Sequence, residues 1–331
     1  MRLALFAWCF VWAVGVSPLA GRSLDAYRHV DSVDWVVRDL DGVLDGWRRL
    51  GFPVEDLGRH TLKSTNAVGE SVTIGVRLAR GNLNGFQILW IEPLEKGNLY
   101  ADYLDRRGDG ILSLNYRIED SAAFQREAGR MEGLGAGLLA APTVPIGGSD
   151  RTTVYLKTAP EGRIGFALVR YSATVPPLRC ALPVSLEPSQ YAFVVRDLTP
   201  VSAFWESLGF GAMEVTQGGL SELQYRGRAA DFTLKMGWHR FSDITFEWIE
   251  PEGGPTVYDE ALESHGPGFH HFAFGVDDMD QAILFFNESG FVVSQSGRWG
   301  EKGKPGSGRF AYIDTDKLGG VTLELLWNYR E

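Results

Sequence analysis

The sequence predicts an α+β fold made by tandem duplication, in which each half repeats the order strand, helix and several strands twice. Three observations carry this prediction: an internal repeat, the alternation of apolar residues in strands, and helices with recognisable start and stop residues. Of the 331 residues, 44 % are hydrophobic and 22 % charged, which is ordinary for a globular chain. This length suits two domains.

The internal repeat relates residues 158 positions apart, as Asp39 and Asp197 show. Three short segments recur in this register: Val-Val-Arg-Asp-Leu (36–40 and 194–198), Leu-Gly-Phe (50–52 and 208–210) and Trp-Ile-Glu-Pro (90–93 and 248–251). Single residues keep the same offset, namely Trp47 with Trp205, Tyr100 with Tyr258, Gly110 with Gly268, Asp120 with Asp278 and Arg151 with Arg309. We therefore predict domains at 27–172 and 189–331, joined by a proline-rich linker at 173–188.

The second half illustrates the order of elements within each repeat. A strand is predicted around 190–195, and Thr199-Pro200 has the hydroxyl and proline that start a helix, which Gly209 ends. Further strands follow, among them 244–249 and 269–276. Asp278 then precedes a helix that runs to about Ser289, and strands near 309–314 and 321–327 complete the half.

The first residues have the pattern of a secretory signal. Arg2 precedes an apolar or glycine run at 3–16, which is shorter than the roughly 20 residues that a membrane span needs. Small residues follow, so we predict a signal peptide at 1–21 and a secreted or periplasmic location. The alternative is an uncleaved anchor. No later segment is predicted to form a stable membrane span.

Charge and cysteine content exclude several classes of protein. Acidic residues outnumber basic residues 42 to 32, giving a net charge of −10, so nucleic acid is not an expected partner. The two cysteines, Cys9 and Cys180, are too few for a disulfide scaffold. The expected partner is a small-molecule substrate, and the oligomeric state is left open.

The repeated segments resemble the vicinal oxygen chelate superfamily, which includes glyoxalase I, bleomycin resistance proteins and the extradiol dioxygenases. The resemblance rests on the segments already quoted, together with Gly-Phe-His-His-Phe at 268–272 and Gly-Gly-Val-Thr-Leu-Glu-Leu at 319–325. It implies four βαβββ units, two per half, with each pair curling into an open barrel around a metal ion.

The resemblance also implies the positions of metal ligands in the second half: Gln190, Glu247, His271 and Glu324. The order glutamine, glutamate, histidine, glutamate is similar to that of glyoxalase I. It departs from the two-histidine, one-carboxylate set of the iron dioxygenases because the first position is not histidine. His270 precedes His271 on a predicted strand, so its side chain is expected on the opposite face.

One imidazole and three oxygen donors suit a divalent zinc, nickel, manganese or iron ion. Such an ion stabilises an oxyanion on a substrate, and Glu247 or Glu324 is predicted to move a proton as the catalytic residue. The predicted function is that of a secreted metalloenzyme for isomerisation, epimerisation or lyase chemistry on a small oxygenated substrate. The alternatives are an extradiol-type dioxygenase and a metal-free protein that sequesters a small molecule.

The first half lacks these ligands. Its matching positions hold Ser32, Leu89 and Ser113, and the last is Phe166 or Ala167 because the register slips by one residue near Gly162. We therefore predict a metal-poor first domain that covers or positions the second.

Overall fold

The computed structural model describes residues 26–241 and 244–329. The predicted signal peptide at 1–21 lies outside the described residues. One sheet of nine strands is formed by residues 32–171, and another of ten strands is formed by residues 187–328. Helices cover both sheets, as the α+β prediction requires. The second sheet begins two residues before the predicted start of the second domain at 189.

Within residues 32–171, the structure has nine strands and four helices. The strands are β1 (Ser32–Val36), β2 (Val54–Thr65), β3 (Ser71–Leu83), β4 (Phe86–Pro93), β5 (Gly110–Arg117), β6 (Leu138–Ala140), β7 (Thr143–Ile146), β8 (Ser149–Leu156) and β9 (Gly165–Tyr171). The helices are α1 (Leu40–Arg49), α2 (Leu99–Arg107), α3 (Ser121–Gly133) and α4 (Ala159–Gly162). The strand order is β2-β3-β4-β1-β5-β9-β8-β6, with β7 paired to β8.

The second half follows the same plan, with the equivalents of β2 and β3 each divided into two strands. Its strands are β10 (Glu187–Val194), β11 (Glu214–Gln217), β12 (Leu220–Tyr225), β13 (Arg228–Ala229), β14 (Thr233–Arg240), β15 (Thr245–Gly253), β16 (Gly268–Gly275), β17 (Val293–Trp299), β18 (Gly308–Ile313) and β19 (Thr322–Asn328). Its helices are α5 (Leu198–Ser207), α6 (Val257–Ser264), α7 (Met279–Glu288) and a 3₁₀ helix, Asp316–Leu318. The strand order is β11-β14-β15-β10-β16-β19-β18-β17-β12-β13.

The pairing of the strands confirms the four predicted units. The first strand of each unit pairs in parallel with its last, as β1 with β4, β5 with β9, β10 with β15 and β16 with β19. The first strands of neighbouring units then pair antiparallel, β1 with β5 and β10 with β16. The third and fourth units therefore share one barrel, as a metal site in the second half requires.

Aspartate residues of the repeated segments start the helices. Asp197 accepts a hydrogen bond from the backbone N–H of Thr199 (2.8 Å), and α5 begins at Leu198. The prediction that the Thr199 hydroxyl caps this helix was wrong, because the carboxylate two residues earlier satisfies the first free N–H groups. Asp278 caps α7 as predicted, and its counterpart Asp120 caps α3. Within the described residues, no helix is long and apolar enough to cross a bilayer.

Both sheets curl until their ends meet. In the first sheet, Thr65 at the end of β2 exchanges two backbone hydrogen bonds with Ala141, between β6 and β7. In the second sheet, Gly218 and Gly219 alone connect β11, at one end of the strand order, to β12, near the other end. Both glycines have positive φ angles (70° and 78°), a conformation that disfavours residues with a Cβ atom.

The repeated tryptophans hold the two barrels together. Trp47 on α1 donates its indole N–H to the carbonyl oxygen of Leu318 (3.2 Å), and its repeat partner Trp205 donates to that of Gly162 (3.2 Å). Trp35 likewise donates to Gly319 (2.6 Å). All three indole rings are buried in one apolar core that spans both halves. The halves therefore pack through the outer faces of their sheets, and the interiors of both barrels lie away from this contact.

Candidate functional site

Four neighbouring strands of the second barrel each carry one of the predicted ligands. Gln190 lies on β10, Glu247 on β15, His271 on β16 and Glu324 on β19. Ala192 lies beside both His271 and Glu247 in the strand register, and this small side chain leaves space between them. The structure thus brings all four predicted residues to one place.

The four side chains are in direct contact. Nε2 of His271 lies 3.1 Å from Oε2 of Glu324 and 3.6 Å from Oε2 of Glu247. With its amide nitrogen turned inward, Gln190 donates to Glu247 (3.1 Å) and to Glu324 (3.3 Å). The opposite amide orientation would present an oxygen at the same point, where it would face a bound cation.

The site concentrates negative charge in a buried place. His271 is completely buried, and only 6 % of Glu247 and 4 % of Glu324 are exposed. Burial raises the pKa of Glu247, the hydrogen bond from His271 opposes this, and the charge of Glu324 adds to the increase. Burial alone would lower the pKa of His271, but Glu324 and Glu247 raise it to about 9. A positive charge is therefore strongly favoured between these carboxylates.

The donor set fits a divalent cation. One donor atom from each of Glu247, His271 and Glu324 lies within 4.8 Å of the others. Ligands bound to a zinc-sized ion at 2.0–2.2 Å are separated by about 3–4.4 Å, so small side-chain movements would suffice. An imidazole, two carboxylates and an amide suit zinc, nickel, manganese or iron. Among the described residues, Glu247, His271 and Glu324 form the group of histidine, cysteine, aspartate or glutamate side chains that lies close enough together to hold a metal ion.

A β-bulge gives His270 a role that strand alternation did not predict. In the pairing of β10 with β16, Ala192 lies opposite His271 while Phe193 lies opposite Phe269, so His270 is the extra residue. Its Nδ1 lies 2.9 Å from Nδ1 of His271, and its ring is buried. The prediction that His270 points to the opposite face was wrong, since alternation assumes a regular ladder. Burial and the charge of His271 lower the pKa of His270 well below its usual value.

His270 is in position to fix the tautomer of His271. If Nε2 of His271 binds a metal, its Nδ1 carries the proton and donates to the neutral His270. We expect His270→Phe to weaken metal affinity by about 10- to 100-fold while keeping the fold, because the aromatic ring retains the packing. Competition with a chromophoric chelator measures this affinity. An unchanged affinity would show that His270 only fills space.

Two tyrosines, Tyr258 and Tyr312, complete the floor of the site. The sequence repeat had identified only Tyr258. Its hydroxyl donates to that of Tyr312 (2.5 Å), whose ring lies 5.0 Å from the ring of His271. Burial and the charge of Glu324 raise the pKa of both phenols well above the usual value. Both therefore remain protonated hydrogen-bond donors near the carboxylates.

The ligand cluster opens into a cavity of about 420 Å³ inside the second barrel. Gln190, Glu247 and Glu324 form part of its wall. The apolar wall residues are Leu220, Leu234, Met236, Trp299, Phe310 and Leu326. Arg240 also lines the cavity, where its guanidinium stacks 4.8 Å from the ring of Trp238 and pairs with Glu214 (3.3 Å). A small molecule with an apolar body and polar groups would match these walls.

The first barrel has a different centre. Asn115 and Ala273 are equivalent residues, 158 positions apart. In the strand pairing, Asn115 lies opposite Ala167 and Ala273 lies opposite Glu324, so Ala167 is the counterpart of Glu324. The other counterparts are Ser32, Leu89 and Ser113, none of which is a strong metal ligand. This pairing resolves the one-residue ambiguity of the sequence.

A buried ion pair occupies the first barrel instead. Both terminal nitrogens of Arg151 donate to the carboxylate of Asp34, at 2.8 and 2.7 Å, and both side chains are completely buried. Asn115 (2.8 Å) and Tyr155 also donate to Asp34. Asp34 takes the position that Ala192 has in the second barrel, 158 residues later. The guanidinium group of Arg151 is therefore the cation at the centre of the first barrel.

Comparisons with known proteins agree with this architecture. Residues 189–312 match the family model described as the glyoxalase/bleomycin resistance protein/dioxygenase superfamily. No curated protein sequence matches the chain significantly.

Solved structures similar to the chain include a mutant of 4-hydroxymandelate synthase from Streptomyces coelicolor. The match has a TM-score of 0.58 and 16 % identity, and covers 91 % of this chain and 93 % of that one. A fusion protein of a xylose isomerase-like TIM barrel and 4-hydroxyphenylpyruvate dioxygenase matches with a TM-score of 0.50 and 11 % identity, over 92 % of this chain and 50 % of the other. At these identities the similarity is one of fold.

Proposed function

Since the second half of this chain belongs to the glyoxalase/bleomycin resistance protein/dioxygenase superfamily and the first half repeats its fold, we propose that the chain is a metal-dependent enzyme with its active site in the second barrel. The reaction is metal-assisted isomerisation, epimerisation or lyase chemistry at a carbon beside a carbonyl group. The observation that supports this most strongly is the convergence of Gln190, Glu247, His271 and Glu324 at the wall of a cavity.

These four residues would hold the metal ion, which when bound supplies a Lewis acid for substrate oxygens that gain negative charge. Glu247 and Glu324 both face the cavity, and a carboxylate there can take a proton from carbon and return it. Burial favours such a role, because it raises the pKa of Glu247 towards neutrality. Tyr312, which accepts a hydrogen bond from Tyr258 and keeps its own proton, also lines the cavity as a hydrogen-bond donor.

The cavity walls limit the size and polarity of the substrate. A volume of about 420 Å³ accommodates a small molecule, and Trp299, Phe310 and Leu326 exclude water from its apolar part. The first barrel has no comparable donor set and a buried ion pair at its centre, so we assign it a structural role in supporting the second. We also propose that the protein is exported, which N-terminal sequencing of the exported chain tests.

Replacement of Glu324 by glutamine tests the proton-transfer role. The amide can still offer an oxygen to a metal but cannot carry a proton at neutral pH, so we expect much of the metal to remain while turnover falls at least 100-fold. Exchange of substrate carbon-bound hydrogen with deuterated water measures the step directly. Glu250→Gln is a matched control on the same sheet, outside the cluster, and should retain activity. Full exchange activity in Glu324→Gln would assign proton transfer to Glu247.

The experiment for the function as a whole is elemental analysis of protein purified without chelator, followed by a substrate screen with the metal found. An isomerase, epimerase or lyase converts carbonyl substrates without consuming oxygen. Oxygen consumption with catechols would instead indicate a ring-cleaving dioxygenase, which the glutamine at position 190 disfavours. Ligand binding without any metal would indicate a sequestration protein.

A further inference from the structure

A second cavity, of about 430 Å³, lies where the first barrel meets the second half of the chain. It is bounded by α2, by the segment that contains α4, and by Pro267 and Phe269 at the start of β16. Four basic side chains line it, Arg106, Arg107, Lys157 and Arg163, and no acidic side chain does. This cavity, called the junction cavity below, is separate from the cavity beside His271.

The positive charges of the junction cavity have no ion-pair partner in the described part of the chain. Among the residues described, no carboxylate forms an ion pair with any of the four side chains, although salt bridges are frequent elsewhere in the chain. Arg107 donates to the carbonyl oxygens of Pro267 and Gly266, and Arg163 donates to that of Pro160 (2.7 Å). Four such charges in a chain of net charge −10 form a local site of attraction for anions.

The floor of the junction cavity is apolar. It consists of the side chains of Leu112, Leu139, Leu156, Ile164, Phe166 and Phe269. Basic groups beside an apolar floor favour a ligand that combines an anionic group with an apolar body, because each part then meets a matching surface.

The duplication shows that the fold does not require these charges. The corresponding cavity of the second half, about 380 Å³, is lined by the acidic side chains Glu260, Asp314 and Asp316, which pair with its cationic groups Arg226 and His265, and by His270. Lys157, directly after β8, corresponds to Asp314, directly after β18. The two copies have therefore diverged to opposite charge while keeping the same place in the fold.

We propose that the junction cavity binds a small organic phosphate, with the phosphate group among the four basic side chains and the organic part on the apolar floor. A phosphate monoester carries up to two negative charges and accepts paired hydrogen bonds from guanidinium groups. A ligand with a phosphate group therefore suits several arginines better than a ligand with a single carboxylate group. This assignment does not depend on the reaction of the second barrel.

Titration calorimetry with phenyl phosphate on the full chain tests the proposal. We expect one binding site per chain, with tighter binding than for inorganic phosphate and none for phenol, since both charge and floor contribute. Affinity should fall when sodium chloride is raised from about 50 to about 300 mM, because the exposed charges are screened. Arg106→Ala/Lys157→Ala should weaken binding at least tenfold. Both side chains are exposed, so their removal leaves the fold intact.

Two controls locate the site. Lys96→Ala/Arg228→Ala removes two exposed cations elsewhere and should leave the affinity unchanged. His271→Ala should also bind phenyl phosphate normally, which excludes a metal in the second barrel as the anion's partner. Absence of phenyl phosphate binding, or equal affinity in the wild type and the Arg106→Ala/Lys157→Ala variant, would overturn the proposal.

Discussion

His271→Ala is expected to reduce the metal affinity of the second barrel at least 100-fold and to abolish turnover. The imidazole contacts both Glu247 and Glu324, and among the four predicted ligands it alone offers a nitrogen that can bind a metal ion. Without it, the remaining oxygen ligands bind zinc, nickel or iron poorly. Metal content after dialysis, measured by mass spectrometry, should fall from about one equivalent per chain to a small fraction.

His265→Ala is the matched control for this variant. His265 is half-buried and bonds the carbonyl oxygen of Arg107 (2.8 Å) outside the barrel. Its loss should leave the metal content unchanged. Full metal content in folded His271→Ala protein would contradict the assignment of the site.

Arg151→Met is expected to be among the most destabilising single substitutions in the first half. It leaves the Asp34 carboxylate buried without its cation, which typically costs about 3–5 kcal/mol. Burial disfavours the charge of Arg151, yet Asp34 raises the pKa of this guanidinium well above its usual value, so the two groups depend on each other. Calorimetry should show a fall in Tm of about 10 °C.

A surface arginine provides the comparison. Arg77→Met removes ion pairs with Asp41 (2.7 Å) and Asp56 (2.6 Å), whose carboxylates are more exposed, and should cost less than about 1 kcal/mol. Replacing both buried partners, as Asp34→Leu/Arg151→Met, should destabilise less than Arg151→Met alone, since no charge then remains buried. Equal stability of Arg151→Met and the wild type would show that the ion pair is not needed.

The duplication could be predicted from the sequence because its segments keep one register, apart from a slip of one residue between Asp120 and Ala167. That register places Trp90 and Trp248 at equivalent positions of β4 and β15, and Asp120 and Asp278 at equivalent helix starts. Four neighbouring strands carry the predicted ligands Gln190, Glu247, His271 and Glu324. Local pattern and repeat together were therefore sufficient for the duplicated α+β fold, and the resemblance to the vicinal oxygen chelate superfamily gave the position of the candidate site.

The features that the sequence did not predict depend on backbone irregularities and long-range contacts. The bulge at His270 arises from the pairing of β10 with β16, and strand alternation alone cannot reveal it. Asp34 and Arg151 are 117 residues apart. The match of Arg151 with Arg309 in the sequence repeat was wrong by one residue, because the strand pairing makes Gly308 the counterpart of Arg151. The β12–β13 hairpin belongs to the third unit yet pairs with β17 of the fourth, so its place follows only from the curl of the sheet.

The location of the metal ion tests the central claim most directly. Crystals of the full chain, purified without chelator, should give a single strong anomalous-scattering peak per chain at the absorption edge of the bound metal. We predict that the peak lies within the second barrel, about 2.0–2.2 Å from donor atoms of Glu247, His271 and Glu324. A peak in the first barrel, or a crystal grown with excess metal that shows none between these residues, would contradict the account.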